Sequence, residues 1–260
     1  MEKMDKLTLI KVGGKIVEEP ASLKQMLSDF AKIEGYKILV HGGGRSATRL
    51  AERLGIETKM VEGRRITDAE TLKVVTMVYA GWVNKSIVAE LQSMGVNAMG
   101  MCGADAGVIL SHRRAAAGID YGFVGDVDKV NGRMLSEIIN GGTVPVIAPI
   151  THDGKGSLLN TNADTIAGEV AKGVAGYFDV TLVYCFEKPG VLANEEDDTS
   201  VIPEIDRSIF ARYKEAGIIT GGMIPKLQSA FDALEKGVGQ VVIKQASDIA
   251  DKGAGTLIRL

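Results

Sequence analysis

The chain has 260 residues, 45% of them apolar and 24% charged, proportions that allow a substantial core and set intrinsic disorder aside. Its formal charge of -3 and pI near 5.7 provide no basic field for a polyanion, and its lysines and arginines are dispersed, which argues against nucleic acid as a main partner. No apolar run approaches the roughly 18 to 20 residues that span a bilayer, and the opening Met1-Glu2-Lys3-Met4-Asp5 lacks the apolar stretch of a signal peptide, so no membrane association and a cytoplasmic location are expected.

Residues 7–12 and 36–41 are short apolar runs followed by glycines, with a helix-length segment at 21–33 between them, the pattern of a β-α-β unit. A helix is expected at 45–54, a longer one at 68–94 and an apolar strand at 96–101, which makes the chain α/β with a largely parallel sheet. Residues 103–130 are rich in glycine, with short alternating pieces at 107–111 and 121–124, and read as edge hairpins forming a flap. A helix at 131–140, a buried strand at 144–147 and an alanine-rich helix at 160–174 follow. A second unit begins near Gly176, with a strand at 180–184, an acidic tip at 195–198, helices at 208–216 and 224–236, and a strand at 240–243. With no repeat and no Pro-rich linker, the expected division is into two softly bounded lobes, residues 1–175 and 176–260. Cys102 and Cys185 stand apart from each other and from histidine, so both are expected as buried small hydrophobes, with no metal site.

Five segments could carry chemistry. In Leu9-Ile10-Lys11-Val12-Gly13-Gly14 a lysine and two glycines close an apolar strand, where open α/β sheets gather ligands; a lysine snorkelling into solvent explains the same pattern. His41-Gly42-Gly43-Gly44-Arg45 opens a helix. It reads first as a cradle of N–H groups for an anion and only distantly as a dinucleotide fingerprint with Glu62 as the ribose acid; an esterase oxyanion hole lacks its G-x-S-x-G nucleophile. Thr67 and Glu70 form a capping box that places Arg65 just outside a helix start, where it either clamps a carboxylate or lies solvated at the surface. Asn160 and Asp164 are four apart and would share a face near a helix start, where an N-cap and a macrodipole partner account for both. In Gly221-Gly222-Met223-Ile224-Pro225-Lys226 the proline suits the first helical position, so Lys226 falls in the first turn. A cation there opposes the helix dipole unless an anion joins it, which makes this the least ordinary feature of the chain.

In order, I-K-V-G-G, H-G-G-G, G-R-R-I-T-D, L-N-T-N-A-D and I-T-G-G-M-I-P-K, with Gly122-Phe123-Val124-Gly125-Asp126-Val127 between them, resemble the motifs of the acetylglutamate kinases of the amino acid kinase superfamily over nearly the whole chain. The resemblance implies a three-layer α/β/α sandwich with a central, mainly parallel sheet, an N-terminal acyl-amino-acid lobe that also dimerises and a C-terminal ATP lobe. It implies that ATP, with Mg2+, phosphorylates the γ-carboxylate of N-acetyl-L-glutamate in arginine biosynthesis. Lys11 and Lys226 would contact the phosphoryl group and Asp164 would hold both lysines. Gly43 and Gly44 would offer N–H groups, and Arg65 and Asn160 would hold the acylglutamate. Lys11, Gly13, Gly14, Glu187 and Lys226 would meet the nucleotide. Members pair through the long helix that here begins at Asp68, which implies a homodimer. A glutamate carboxylate, ordinarily of pKa about 4.3, is already ionised at neutral pH, so the chemistry needs no general base. Two departures bear on these expectations. Where the family has a Ser/Thr-Asp-Val step, this chain reads Phe186-Glu187-Lys188, so Glu187 stands in for the aspartate. The first strand begins at about residue 7, without the preceding helix that joins arginine-inhibited members into hexamers, so insensitivity to arginine is expected.

Other amino acid kinases, such as uridylate, aspartate or carbamate kinases, share the lysine strand, but only the N-acylglutamate reading also uses Arg65 and N-T-N-A-D. A regulatory module without turnover would not need Lys11, Asp164 and Lys226 together. A nicotinamide oxidoreductase is the alternative from another class, and P-loop chemistry lacks its motif. The acyl group stays open between acetyl and succinyl, for which Lys59 or Arg64 could pair with the second carboxylate.

Overall fold

A computed structural model describes residues 4–61, 64–115 and 118–260. The strand Lys6–Val12 lies near the middle of an eight-stranded sheet. Outward on one side come Tyr36–His41, Val144–Ile147 and Ala98–Met101; on the other come Asp179–Phe186, Gln240–Gln245, Thr256–Ile258 and Glu204–Ile205. The six strands from Ala98–Met101 to Gln240–Gln245 are parallel, and Thr256–Ile258 runs antiparallel to its neighbour Gln240–Gln245. Both halves of the chain therefore share one sheet, and residue 175 falls between the helix Ala163–Val174 and the strand Asp179–Phe186.

The period of two in the central strand decides which layer each side chain joins. Leu7 and Leu9 pack with Ile166, Val170 and Val174 of the Ala163–Val174 helix and with Leu227 and Phe231 of the Met223–Glu235 helix. Ile10 and Val12 pack on the opposite face with Phe30, Ala47, Val78 and Ile87. Helices thus cover both faces, giving the three-layer α/β/α sandwich. The same alternation puts Lys11 on the face of Leu7 and Leu9, under the start of the Ala163–Val174 helix. Two of the other buried lysines are held by backbone: Lys37 Nζ donates to the carbonyls of Phe30, Ala31 and Ile33 at 3.2, 2.8 and 2.9 Å, and Lys244 Nζ donates to the Asp251 carbonyl at 2.5 Å. Each neutralises the negative end of a turn or helix. Cys102 and Cys185 are buried free thiols.

Several local expectations change. Residues 103–130 contain the expected antiparallel edge pair, Ile109–Arg113 with Gly125–Val130, but as part of a second sheet and not a flap, since that sheet continues through Ile150–His152 to Leu158–Asn160. The piece at 121–124 forms only bridges, Gly122 with Thr67 and Val124 with Asn160. Asn160 therefore ends a strand and shares no helix face with Asp164; the cap of the Ala163–Val174 helix is Asn162, whose Oδ1 accepts from the N–H groups of Asp164 and Thr165. Asp68, not Thr67, caps the next helix by accepting from Thr71 N at 2.7 Å. Thr67 is buried, and its hydroxyl donates to the Arg65 carbonyl. The long helix is α-helical at Ala69–Thr76 and Asn84–Ser93 but π-helical at Met77–Val83. Its wider turn keeps Tyr79 and Val83 buried while Trp82 is 76% exposed. Pro225 is the third residue of its helix, after the cap Gly222, so Lys226 is the fourth.

Gly132 begins a helix at the point where it crosses the Ala163–Val174 helix, and a β-carbon there would fall onto the Gly173 carbonyl. Gly132→Ala should push the two helices apart at a cost of about 1–3 kcal/mol. Thermal denaturation should then show a midpoint lower by several degrees, about 2–4 °C per kcal/mol for a chain near this size; an unchanged midpoint would show that the crossing accommodates the methyl.

Candidate active site

The parallel strands end together, so the turns after Val12, His41 and Phe186 meet along one edge of the sheet, where α/β folds place ligands. Gly42 N donates to the Val12 carbonyl at 3.1 Å, which draws the two glycine turns into contact. A β-carbon on Gly42 would stand 3.1 Å from Gly14 N, and one on Gly43 would stand 3.0 Å from the Tyr79 ring. Glycine is thus imposed at both positions by close approach. Gly43 caps the helix Gly44–Arg53, whose leading N–H groups have no carbonyl partner within the helix. Beneath the turn, His41 and Asn84 are fully buried. His41 Nδ1 lies 2.8 Å from the Gly42 carbonyl, and Asn84 Nδ2 lies 3.0 Å from His41 Nε2. Burial holds the His41 imidazole neutral, its pKa lowered to about 4.

Asp164 enters from the first turn of its helix and joins two lysines that are distant in sequence. Its Oδ1 lies 2.7 Å from Lys11 Nζ and its Oδ2 lies 3.8 Å from Lys226 Nζ. Burial pushes the Asp164 carboxyl upward, but the charges of Lys11 and Lys226 outweigh it and hold the group below the ordinary carboxylate range. Burial depresses Lys226 below the ordinary lysine value, against the opposing pull of Asp164. Lys226 Nζ also sits 4.0 Å from the centroid of the Phe186 ring, where the negative face of the ring attracts the cation. Two ammonium groups against one carboxylate leave a net positive site beside free backbone donors, an arrangement suited to the equatorial oxygens of a transferring phosphoryl group.

A cavity lies on the N-terminal side, lined by Gly43, Gly44, Arg65, Tyr79, Val124 and Asn160 among others. Arg65 is buried there, not solvated: its Nη2 donates to the Gly44 carbonyl and Thr48 Oγ1 at 2.9 Å each, and its Nη1 donates to Thr58 Oγ1 at 3.2 Å. Those bonds use three of the five guanidinium N–H groups and fix the plane of the fork, leaving two donors for an anion. Asn160 Nδ2 donates to Thr67 Oγ1 at 3.0 Å, and Thr67 donates onward to the Arg65 carbonyl, which ties the two residues together. Tyr79 closes the cavity; burial raises its phenol pKa, against the lowering effect of nearby Arg65.

The cleft on the other side of the glycines is lined by Gly13, Gly14, Lys15, Arg45, Phe186 and Glu187. Glu187 pairs with Lys15 across it at 3.3 Å. A further pocket, missed from sequence, opens beyond Lys226 between Val191, Leu192, Ile218, Ile219 and Met223. Its only signal was an apolar pair, Ile218-Ile219, standing next to Thr220-Gly221-Gly222. Thr48, Thr58 and Thr67, which hold Arg65 and Asn160, were also missed, since nothing local marks a threonine as a support. Glu62, Gly63 and the Arg64 side chain lie outside the described residues.

The profile of the amino acid kinase family matches residues 6–245. Acetylglutamate kinase from Parabacteroides distasonis is 65% identical over 255 residues, covering 98% of this chain and 100% of that protein. The crystal structure of smu.665 from Streptococcus mutans UA159 superposes with a TM-score of 0.78 at 29% identity, over 97% of this chain and 98% of the other. N-acetylglutamate synthase from Neisseria gonorrhoeae, complexed with coenzyme A and N-acetyl-glutamate, gives 0.83 at 20% identity over 99% of this chain and 60% of the other, a likeness of fold alone. The chain belongs to the amino acid kinase family and, within it, to the acetylglutamate kinases.

Proposed function

We propose that the protein transfers the γ-phosphoryl group of ATP to the γ-carboxylate of N-acetyl-L-glutamate, within arginine biosynthesis, and that the Lys11–Asp164–Lys226 cluster is its phosphoryl-transfer centre. The carrying observation is that one carboxylate gathers two lysines, 215 positions apart in the chain (226 − 11 = 215), at the edge where both glycine turns meet. The acceptor oxygen attacks phosphorus as the bond to ADP breaks, and no proton need be removed from a carboxylate. Lys11 and Lys226 offset the negative charge that otherwise keeps two anions apart, and the N–H groups of Gly43 and Gly44 face the oxygens between them. Asp164 aligns the lysines without itself taking part in bond changes.

Arg65 and Asn160 hold the α-carboxylate and the acylamido group in the cavity on their side. The nucleotide lies against the C-terminal lobe, residues 176–260, in the cleft that Glu187 shares with Gly13 and Gly14 of the N-terminal lobe, with its base in the apolar pocket beyond Lys226. Among the described residues no group of three or more His, Cys, Asp or Glu side chains could hold a metal ion, and Asp164 is engaged by lysines. Mg2+ therefore enters as MgATP, held mainly by the nucleotide phosphates. The acyl end of the cavity has apolar walls in Met60, Val124 and Pro149, and Lys59 is exposed and paired with Glu57, which favours acetyl over succinyl. The N-terminal lobe, residues 1–175, also carries the dimer contact: Met77 and Trp82 of the π-helical turn are exposed beside Leu50, an apolar face that a second copy of the chain covers. Among the described residues no helix is long and apolar enough to cross a membrane, in keeping with a cytoplasmic enzyme.

Three measurements test these assignments. With MgATP, hydroxylamine trapping of the acyl phosphate should give strong turnover of N-acetylglutamate and little of N-succinylglutamate or free glutamate; preference for either of the latter would overturn the acceptor. Lys11→Ala and Lys226→Ala should each lower kcat by about 10²–10³-fold, as for loss of one transition-state donor, with KM changed far less; a change confined to KM would reduce both lysines to binding groups. Light scattering should give the mass of a dimer for the wild type and of a monomer for Trp82→Glu; a wild-type monomer would remove the interface.

A further inference from the structure

Neither His41 nor Asn84 lines the cavities on either side of the glycine turn and neither would take part in bond changes, yet the hydrogen bonds of this buried pair end on Gly42 of that turn. We infer that His41 is a positioning residue: its Nδ1–H anchors the Gly42 carbonyl and thereby aims the Gly43 N–H into the site, while Asn84 fixes the imidazole tautomer that can do so.

The geometry leaves one consistent proton assignment. Lys85 Nζ donates to Asn84 Oδ1 at 3.1 Å and to the Gly100 carbonyl at 2.9 Å. The Asn84 amide must therefore turn its NH2 the other way, toward the Val146 carbonyl at 2.9 Å and His41 Nε2 at 3.0 Å. Nε2 is then an acceptor, so the proton of the neutral ring sits on Nδ1 and is donated to the Gly42 carbonyl at 2.8 Å. In a trans peptide, C=O and N–H point to opposite sides of one plane. Drawing the Gly42 carbonyl inward consequently turns the Gly43 N–H outward. The N–H of Gly42 donates to the Val12 carbonyl, so the preceding peptide is fixed as well and the turn is anchored on both sides of the Gly42 α-carbon. A three-glycine turn has the freedom to rotate this plane by itself; the histidine removes that freedom before substrate arrives, so the donor need not reorganise during transfer.

The effect on rate rests on the phosphoryl-transfer reading, whereas the hydrogen bond does not, and the test separates them. Nitrogen-15 NMR of the wild-type protein at pH 7 has three histidines to assign, and His41 should appear neutral with its proton on Nδ1. A proton on Nε2, or a charged ring, overturns the inference whatever the activity. In kinetics on N-acetylglutamate, His41→Asn places an amide donor near the position of Nδ1, and His41→Gln places its amide near Nε2. His41→Gln should lose roughly 10- to 100-fold in kcat, the scale of a displaced catalytic group, with little change in KM, and His41→Asn should recover most of that loss. Equal losses in the two variants, or losses that follow only their melting temperatures, would assign His41 to stability alone. Should a variant fail to fold, the wild-type tautomer still decides. Absence of wild-type turnover would count against the proposed reaction and leave the NMR result standing.

Discussion

Everything at the site follows from bringing like charges together. Two ammonium groups near one another repel, and the phosphoryl group and carboxylate they must serve repel as well; Asp164 is the charge that lets the first pair coexist before the second pair arrives. Its contacts are unequal. Lys11 is held at 2.7 Å, whereas Lys226 stands off at 3.8 Å and leans on the Phe186 ring. One lysine is a fixed charge inside the sandwich, and the other keeps part of its interaction available for an incoming phosphate.

The fold converts this electrostatic demand into a register problem. Lys11 faces Asp164 because it continues the alternation of Leu7 and Leu9, and it reaches the edge because the strand ends one residue later at Val12. Asp164 faces Lys11 because Asn162 starts the helix two residues earlier. Slipping the strand by one residue would send the lysine to the opposite layer. Hydrophobic patterning and catalytic geometry are therefore one specification, read on different residues of the same strand.

How much of this was legible in sequence depended on how local its cause was. The strands at 36–41 and 144–147 and both glycine turns carry their own signals, apolar runs ended by residues without side chains, and they lie where expected. The second sheet joins pieces from residues 109 to 160, so no window of the chain displays it, and Asn160 was consequently placed on a helix instead of a strand. The capping box at Thr67 failed for a tertiary reason: its hydroxyl is taken by Arg65 and Asn160, and the adjacent Asp68 is free to cap. Lys226 was marked by opposing its helix dipole, but the ring beneath it was not, because Phe186 sits 40 residues away (226 − 186 = 40) at the end of a strand.

The π-helical turn Met77–Val83 has a wider bearing. Within eight residues it sets Met77 and Trp82 toward solvent, Tyr79 and Val83 against Gly43, and Asn84 under His41. Outer surface and inner support are thus written on the same backbone segment, and a single inserted or deleted residue would rotate both at once. Natural variation in this stretch should proceed by exchanging side chains at constant length, and grafting the outer face of a relative onto this protein would succeed only if the widened turn were carried over with it.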